Sequence, residues 1–219
     1  MNEVFSGEEL AKQLRCPSGK YAKQIGKTMF LSNSNMIFKT IDSLQIQSES
    51  SVLEIGFGNG QHIPYLLNKT QKIRYIGIDH SLEMVEEATQ NNFKLVQKKF
   101  VQFLHINTEE KPNFNKNSFD YCFTVNTIYF IENLNKYFKL VFDFLKLNGK
   151  FAIGFIEKKF AKKMSFTQNI FRLYDCEIIE EMLLRIGFSS VEIFNFSEKT
   201  ISKDGKKITR PFSVIVTKK

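Results

Sequence analysis

Tryptophan is absent from this 219-residue chain, and cysteine nearly so: Cys16, Cys122 and Cys176 stand far apart. An odd, scattered set of three builds neither a disulfide framework nor a zinc site, so no metal ligand is expected and a reducing compartment suits the chain. No apolar run is long enough to cross a bilayer. Met1-Asn2-Glu3-Val4-Phe5 has neither the basic start nor the apolar core of a secretory signal, and the expected location is the cytoplasm. Paired carboxylates or a Ser/His/Asp set that would suggest hydrolysis are missing, as are internal repeats and low-complexity linkers. The net charge of +8 comes from lysines spread along the whole chain. No basic run interleaves with aromatics as a nucleic-acid stripe does, so nucleic acid is not the expected partner.

What is present centres on Val52-Leu53-Glu54-Ile55-Gly56-Phe57-Gly58-Asn59-Gly60. Residues 51–55 read as a short buried parallel strand. Three alternate glycines follow, and Gln61 to Leu67 resumes with helical spacing. Glycines at a strand-to-helix turn let bare backbone N–H groups approach a ligand. Nineteen residues after Gly60, Asp79 closes a second apolar strand, Ile73 to Ile78. An acid there sits at the tip of the neighbouring strand, where a carboxylate can accept both hydroxyls of a ribose. The dinucleotide fingerprint G-x-G-x-x-G is not met, because Gln61 stands where its third glycine belongs.

The remaining chain alternates strands and helices. Ser6 and Glu9 form a capping box for a first helix. Helical stretches follow over Tyr21–Phe30 and from Asn33 through Leu44, then a helix capped by Ser81. Strands are expected over 101–106 (with His105 inside it), 119–125 and 151–156, a helix over Leu134–Leu145 stopped by Asn148-Gly149, and one from Asp175 to Gly187. An Asp204-Gly205 turn joins two last strands as an antiparallel hairpin. The expected fold is α/β, a doubly wound, Rossmann-like sheet of seven strands. Residues 1–48 are expected to be an N-terminal helical lid and 49–219 the main domain. The long connection Glu157–Tyr174 is expected to join that lid, with Tyr21, Phe30, Phe160, Phe166 and Tyr174 as its aromatics.

Glu54 two residues before the first glycine, together with the Gly56-x-Gly58-x-Gly60 run, resembles motif I of the class I S-adenosylmethionine-dependent methyltransferases, E/D-x-G-x-G-x-G. Asn117-Ser118-Phe119-Asp120 and Leu145 to Phe151 are similar to two further landmarks of that family, and the general style is similar to its ubiquinone/menaquinone-type members. The resemblance implies a sheet whose last strand is antiparallel, S-adenosylmethionine as cofactor, and methyl transfer to a small molecule. By the same resemblance Glu54, Gly56, Phe57, Gly58, Asn59 and Gly60 line the methionine tail, Asp79 binds the ribose, and His80 and Met84 flank the adenine. Where the family has Gly-Asp-Ala this chain has Asn107-Thr108-Glu109, so the adenine-edge contact is expected to be altered, to come from backbone, or to fall to Asn107 or Thr108. Asn126, also expected at the cofactor, follows the fourth strand without the Asn/Asp-Pro-Pro-aromatic tetrad of base and amide N-methylases. His62 and then Tyr129 are the expected general bases. The acceptor is expected to be apolar or aromatic, and the chain a monomer or homodimer. An RNA or ribosomal methyltransferase, and a silent cofactor-binding protein, stand as the alternatives.

Overall fold

The computed structural model describes residues 5–106, 112–201 and 207–219. Alternation of apolar strands with amphipathic helices yields, in chain order, α1 (Gly7–Arg15), α2 (Ala22–Leu44), β1 (Ser51–Ile55), α3 (Ile63–Lys69), β2 (Arg74–Asp79), α4 (Leu82–Asn91), α5 (Phe93–Gln97), β3 (Val101–His105), β4 (Phe119–Val125), α6 (Leu134–Phe144), β5 (Leu145–Phe155), α7 (Lys158–Ala161), α8 (Cys176–Ile186), β6 (Ser190–Ile201) and β7 (Lys207–Lys218). The strands form one sheet of order β3-β2-β1-β4-β5-β7-β6. β1 to β5 pair in parallel, while β7 runs antiparallel between β5 and β6. Strand order reverses between β1 and β4, and a doubly wound sheet opens a crevice at the carboxyl ends of the strands there. The expected Asp-Gly turn lies outside the described residues.

Helices cover both faces. On one, Met36, Ile41 and Leu44 of α2 join Ile63 and Leu66 of α3 against Val52, Tyr75 and Phe123. On the other, Phe138 and Val141 of α6 and Ile179 and Leu183 of α8 pack on Leu53, Cys122 and Phe151. Each large side chain so buried contributes about 1.5–3 kcal/mol.

The two helical stretches expected over 21–44 are a single helix of 23 residues. Leu31-Ser32-Asn33 contains no breaker, and Ser32 returns its hydroxyl to Thr28 O at 2.5 Å within the helix. The second half of α2 lies on the sheet, so it is scaffold there rather than an appended lid. Thr40 is buried with its hydroxyl on Met36 O at 2.8 Å, and a Cβ placed on Gly154 of β5 would overlap that hydroxyl. Gly154→Ala should therefore cost about 1–3 kcal/mol by overpacking. Chemical denaturation reads this directly, and unchanged stability would contradict the tight seat of α2 on β5.

Asn148 is left-handed at φ 65°, yet it does not stop a helix. α6 ends at Phe144, and Asn148-Gly149 lies in an irregularity of β5, where the pairing with β4 jumps from Phe119↔Leu145 to Tyr121↔Lys150. The last hairpin is longer than its seat. β7 pairs with β5 only over 213–218, whereas β6 and β7 stay paired as far as Ile201↔Lys207. The surplus projects as an arm past the carboxyl end of β5 and rests against α2.

Candidate functional site

β1 delivers the chain into the glycine turn at the reversal of strand order. Gly56 (φ 79°) donates its N–H to Ile78 O at 2.8 Å, and a Cβ there would collide with Thr127. Gly58 (φ 61°) donates its N–H to Asp79 Oδ2 at 2.9 Å. A Cβ at Gly58 would meet only the Met29 methyl, at 3.9 Å, so this turn faces open space. Asp79 ends β2 and also accepts the Ser81 N–H at 3.0 Å. Burial pushes its carboxyl above the ordinary carboxylate range, against the pull of those two N–H groups and of His80. His80 stands 3.8 Å from Asp79 through Nδ1, and burial lowers its own basicity. Among the described residues its buried Nε2 has no hydrogen-bond partner, nor has the buried Asn59 Nδ2.

Above the strand ends lies a cavity of about 550 Å³. Of the residues singled out from sequence, Gly56, Gly58, Asp79, His80, Met84, Asn126 and Tyr129 line it. Met84 is buried beneath α2, beside Gly26. Asn126 is left-handed at φ 57° and donates its N–H to Gly154 O. Asn107 and Thr108 lie outside the described residues.

Five other residues turn away from the cavity wall. Phe57 packs into the core against Phe103, ring centroids 4.8 Å apart. Asn59 takes the Gln61 N–H on its own Oδ1 at 3.3 Å. Gly60 lets α4 approach, for a Cβ there would stand 2.9 Å from the Ala88 Cβ. Glu54 and His62, 2% and 1% exposed, bond to each other under the turn, His62 Nε2 to Glu54 Oε2 at 2.7 Å. The Tyr75 hydroxyl donates to the same oxygen at 2.5 Å. This placement corrects the expectation of a base at His62 and of Glu54 as a wall of the tail site. The first turn of α3 points the imidazole down into the core, where a buried carboxylate takes it.

Tyr129 does line the cavity, yet its hydroxyl accepts the Ile156 N–H at 2.6 Å and reaches Ile156 O and Asn126 Oδ1, each at 3.1 Å. Burial drives the phenol well above its ordinary pKa. Those two facts correct the second base expectation: the phenol is occupied and does not ionise near neutrality. Of the aromatics expected over the mouth, Phe166 reaches the cavity. Phe160 and Tyr174 pack toward the two cores, Tyr21 meets Phe5, and Phe30 meets Phe38.

Sequence reasoning missed Arg15, Asn33, Glu132 and Arg210, all on the cavity wall. Arg210 sits on the projecting arm and is 6% exposed. Its Nε donates to Glu198 Oε1 at 2.8 Å, and its Nη2 to the same oxygen, to Asn33 Oδ1 and to Ser32 O. α1 closes the opposite side: Gly7 packs on Ser165, and Ser81 Oγ donates to Pro17 O at 2.5 Å. Among the described residues no cluster of three or more His, Cys, Asp or Glu is placed to hold a metal ion, and no helix is long and apolar enough to cross a membrane.

Comparison with known proteins adds the following. Residues 53–153 match a family model described as a methyltransferase domain. The chain is 27% identical over 128 residues to YrhH of Bacillus subtilis, covering 58% of this chain and 69% of that one. It is 35% identical over 99 residues to ribosomal RNA small subunit methyltransferase A of Sulfurihydrogenibium, covering 42% of this chain and only 38% of that enzyme. The fold is shared with Haemonchus contortus phosphoethanolamine N-methyltransferase 2, solved in complex with S-adenosyl-L-methionine. There the TM-score is 0.70 at 17% identity, over 99% of this chain and 60% of that one.

Proposed function

We propose that the chain is a class I S-adenosylmethionine-dependent methyltransferase and that it methylates a small molecule held over the ends of β4, β5 and β7. The observation that carries the reading is the roof. α1 packs on the 3-10 turn Ser165–Thr167, so the N-terminal segment and the connection after β5 meet above the cavity. In this reading the two are a lid. A space of about 550 Å³ is of the size that encloses a small ligand, and Phe130, Phe166 and Phe171 on its wall suit an acceptor with apolar surface.

The residues present fit the cofactor. Gly58 meets nothing closer than 3.9 Å where a side chain would stand, which leaves the turn open to a ligand's approach. The Asp79 carboxylate would take the ribose hydroxyls, and His80 and Met84 would flank the adenine. His80 Nε2, buried without a partner among the described residues, would serve a polar edge of the ligand. Asn126 would lie along the tail, while Glu54 supports the turn from beneath.

When bound, S-adenosylmethionine supplies a methyl group on a sulfonium, already activated for in-line displacement. What remains for this chain is to align the acceptor and exclude water. Tyr129 holds the end of β4 to Ile156 after β5 and keeps that wall rigid. The roof segments keep solvent from the transferring group.

Calorimetry with S-adenosylmethionine and NAD, followed by methyl transfer from labelled donor to a panel of small acceptors and to ribosomal RNA, tests this. The expected result is binding of the first ligand alone and label in a small molecule. Equal binding of NAD would sink the cofactor assignment. Label in RNA, with binding that weakens steeply as salt is raised, would replace the small acceptor by the nucleic acid to which the net charge of +8 is suited.

A further inference from the structure

We propose that Arg210 and Asn33 form an oxyanion subsite for the methyl acceptor, which therefore carries a carboxylate or phosphate group. This rests on the methyltransferase reading and deepens it. Arg210 is more than nine-tenths buried, and long cations are rarely buried unless fully partnered. Its Nε and Nη2 are engaged by Glu198, Ser32 O and Asn33. Among the described residues nothing accepts from Nη1. A guanidinium held through Nε and Nη2 in this way presents the two N–H groups of Nη1 in a rigid plane, charged donors that suit a carboxylate or phosphate oxygen. The residue lines the cavity, as does Asn33, which spends its Oδ1 on Arg210 and so keeps its amide N–H donors for a ligand. Arg210 also faces the Tyr129 hydroxyl closely enough to act on it electrostatically.

Position in the sheet says which ligand this subsite serves. Asp79 ends β2 and Arg210 stands on β7, with β1, β4 and β5 between them. Four strand spacings of about 4.8 Å put them roughly 19 Å apart. A cofactor held through Asp79 and the glycine turn leaves the β5–β7 end of the cavity to the second substrate. The other charged side chains on the wall are Arg15, on α1 beside His80, and Glu132 after β4. Neither belongs to the arm, so variants on the arm isolate the Arg210 subsite.

The experiment uses the whole chain loaded with S-adenosylhomocysteine, titrated with inorganic phosphate and, separately, with benzoate, against chloride at equal ionic strength. At least one probe should stabilise the protein beyond chloride, and the tighter of the two says whether the acceptor's group is phosphate or carboxylate. Glu198→Gln, which removes the counter-charge and keeps the hydrogen-bond acceptor, should tighten that probe at least threefold. Arg210→Gln combined with Glu198→Gln removes both charges without stranding either, and should weaken it at least tenfold with cofactor affinity unchanged. No stabilisation of the unaltered protein by either probe, or equal binding to the double variant, would overturn the subsite. Should the double variant not fold, unaltered probe affinity in Glu198→Gln overturns it equally. Loss of cofactor binding by the unaltered protein would instead defeat the methyltransferase reading itself.

Discussion

Asp79→Ala is expected to weaken S-adenosylmethionine binding at least a hundredfold while the protein stays folded. In the proposed site two charge-assisted hydrogen bonds run from ribose hydroxyls to the buried Asp79 carboxylate, each contributing about 1.5–3 kcal/mol, and the alanine would remove both. The substitution also frees the Gly58 and Ser81 N–H groups that the carboxylate now holds, so the glycine turn loses its tether as well as its ligand contact. Calorimetry on protein checked by circular dichroism measures the loss, and affinity within threefold of the unaltered protein would remove Asp79 from the site. Acid separates two effects of the same group. Its folded pKa is raised by burial, so its contribution to the stability of the empty protein is full below the ordinary carboxylate range and is lost as pH rises through the raised value. Cofactor binding needs the ionised form and follows the opposite course, weakening as pH falls through that value. A fall in cofactor affinity on mild acidification that is absent from Asp79→Ala is the expected signature.

The strand, the alternate glycines and Asp79 were legible because that signal is local. Each glycine's left-handed backbone is a local feature of the turn, although what Gly56 and Gly60 pack against, Thr127 and Ala88, is not, and a carboxylate at the end of the next parallel strand follows from one crossover. The strands of the sheet were legible from the same local patterning, while the antiparallel place of β7 beside β5 came from the family resemblance rather than from any one element. Arg210 was not. Its partners Ser32 and Asn33 lie 178 and 177 residues away in sequence, and nothing local says that an arginine before Pro211 ends buried on a cavity wall. The boundary between α2 as scaffold and α1 as roof was hidden too. Both have helical spacing, and only the seat of Thr40 against Gly154 tells which half the sheet holds.

His62 failed for a subtler reason, and its substitution is the second large effect. A histidine at the start of the helix after a glycine turn can face the ligand or the core, and one residue of rotation in the turn decides which. Here it faces Glu54, eight residues back, with Tyr75 on the same carboxylate oxygen. His62→Ala would leave a carboxylate that is 2% exposed with a phenol as its partner and a void where the imidazole stood. Stranding one side of a buried hydrogen bond and opening a void beside it together cost about 3–5 kcal/mol, which for a domain of this size lowers the melting temperature by roughly 6–20 °C. His62→Gln, which keeps a donor at a similar reach, should lose less. Because the ring lies beneath the turn, the pH dependence of turnover in the folded fraction should not change. A base within reach of the acceptor predicts the reverse: native stability in His62→Ala, and loss of the basic limb of the pH–rate profile. Measuring melting temperature and pH profile on the same two variants separates a support under the cofactor loop from a group that moves the acceptor's proton.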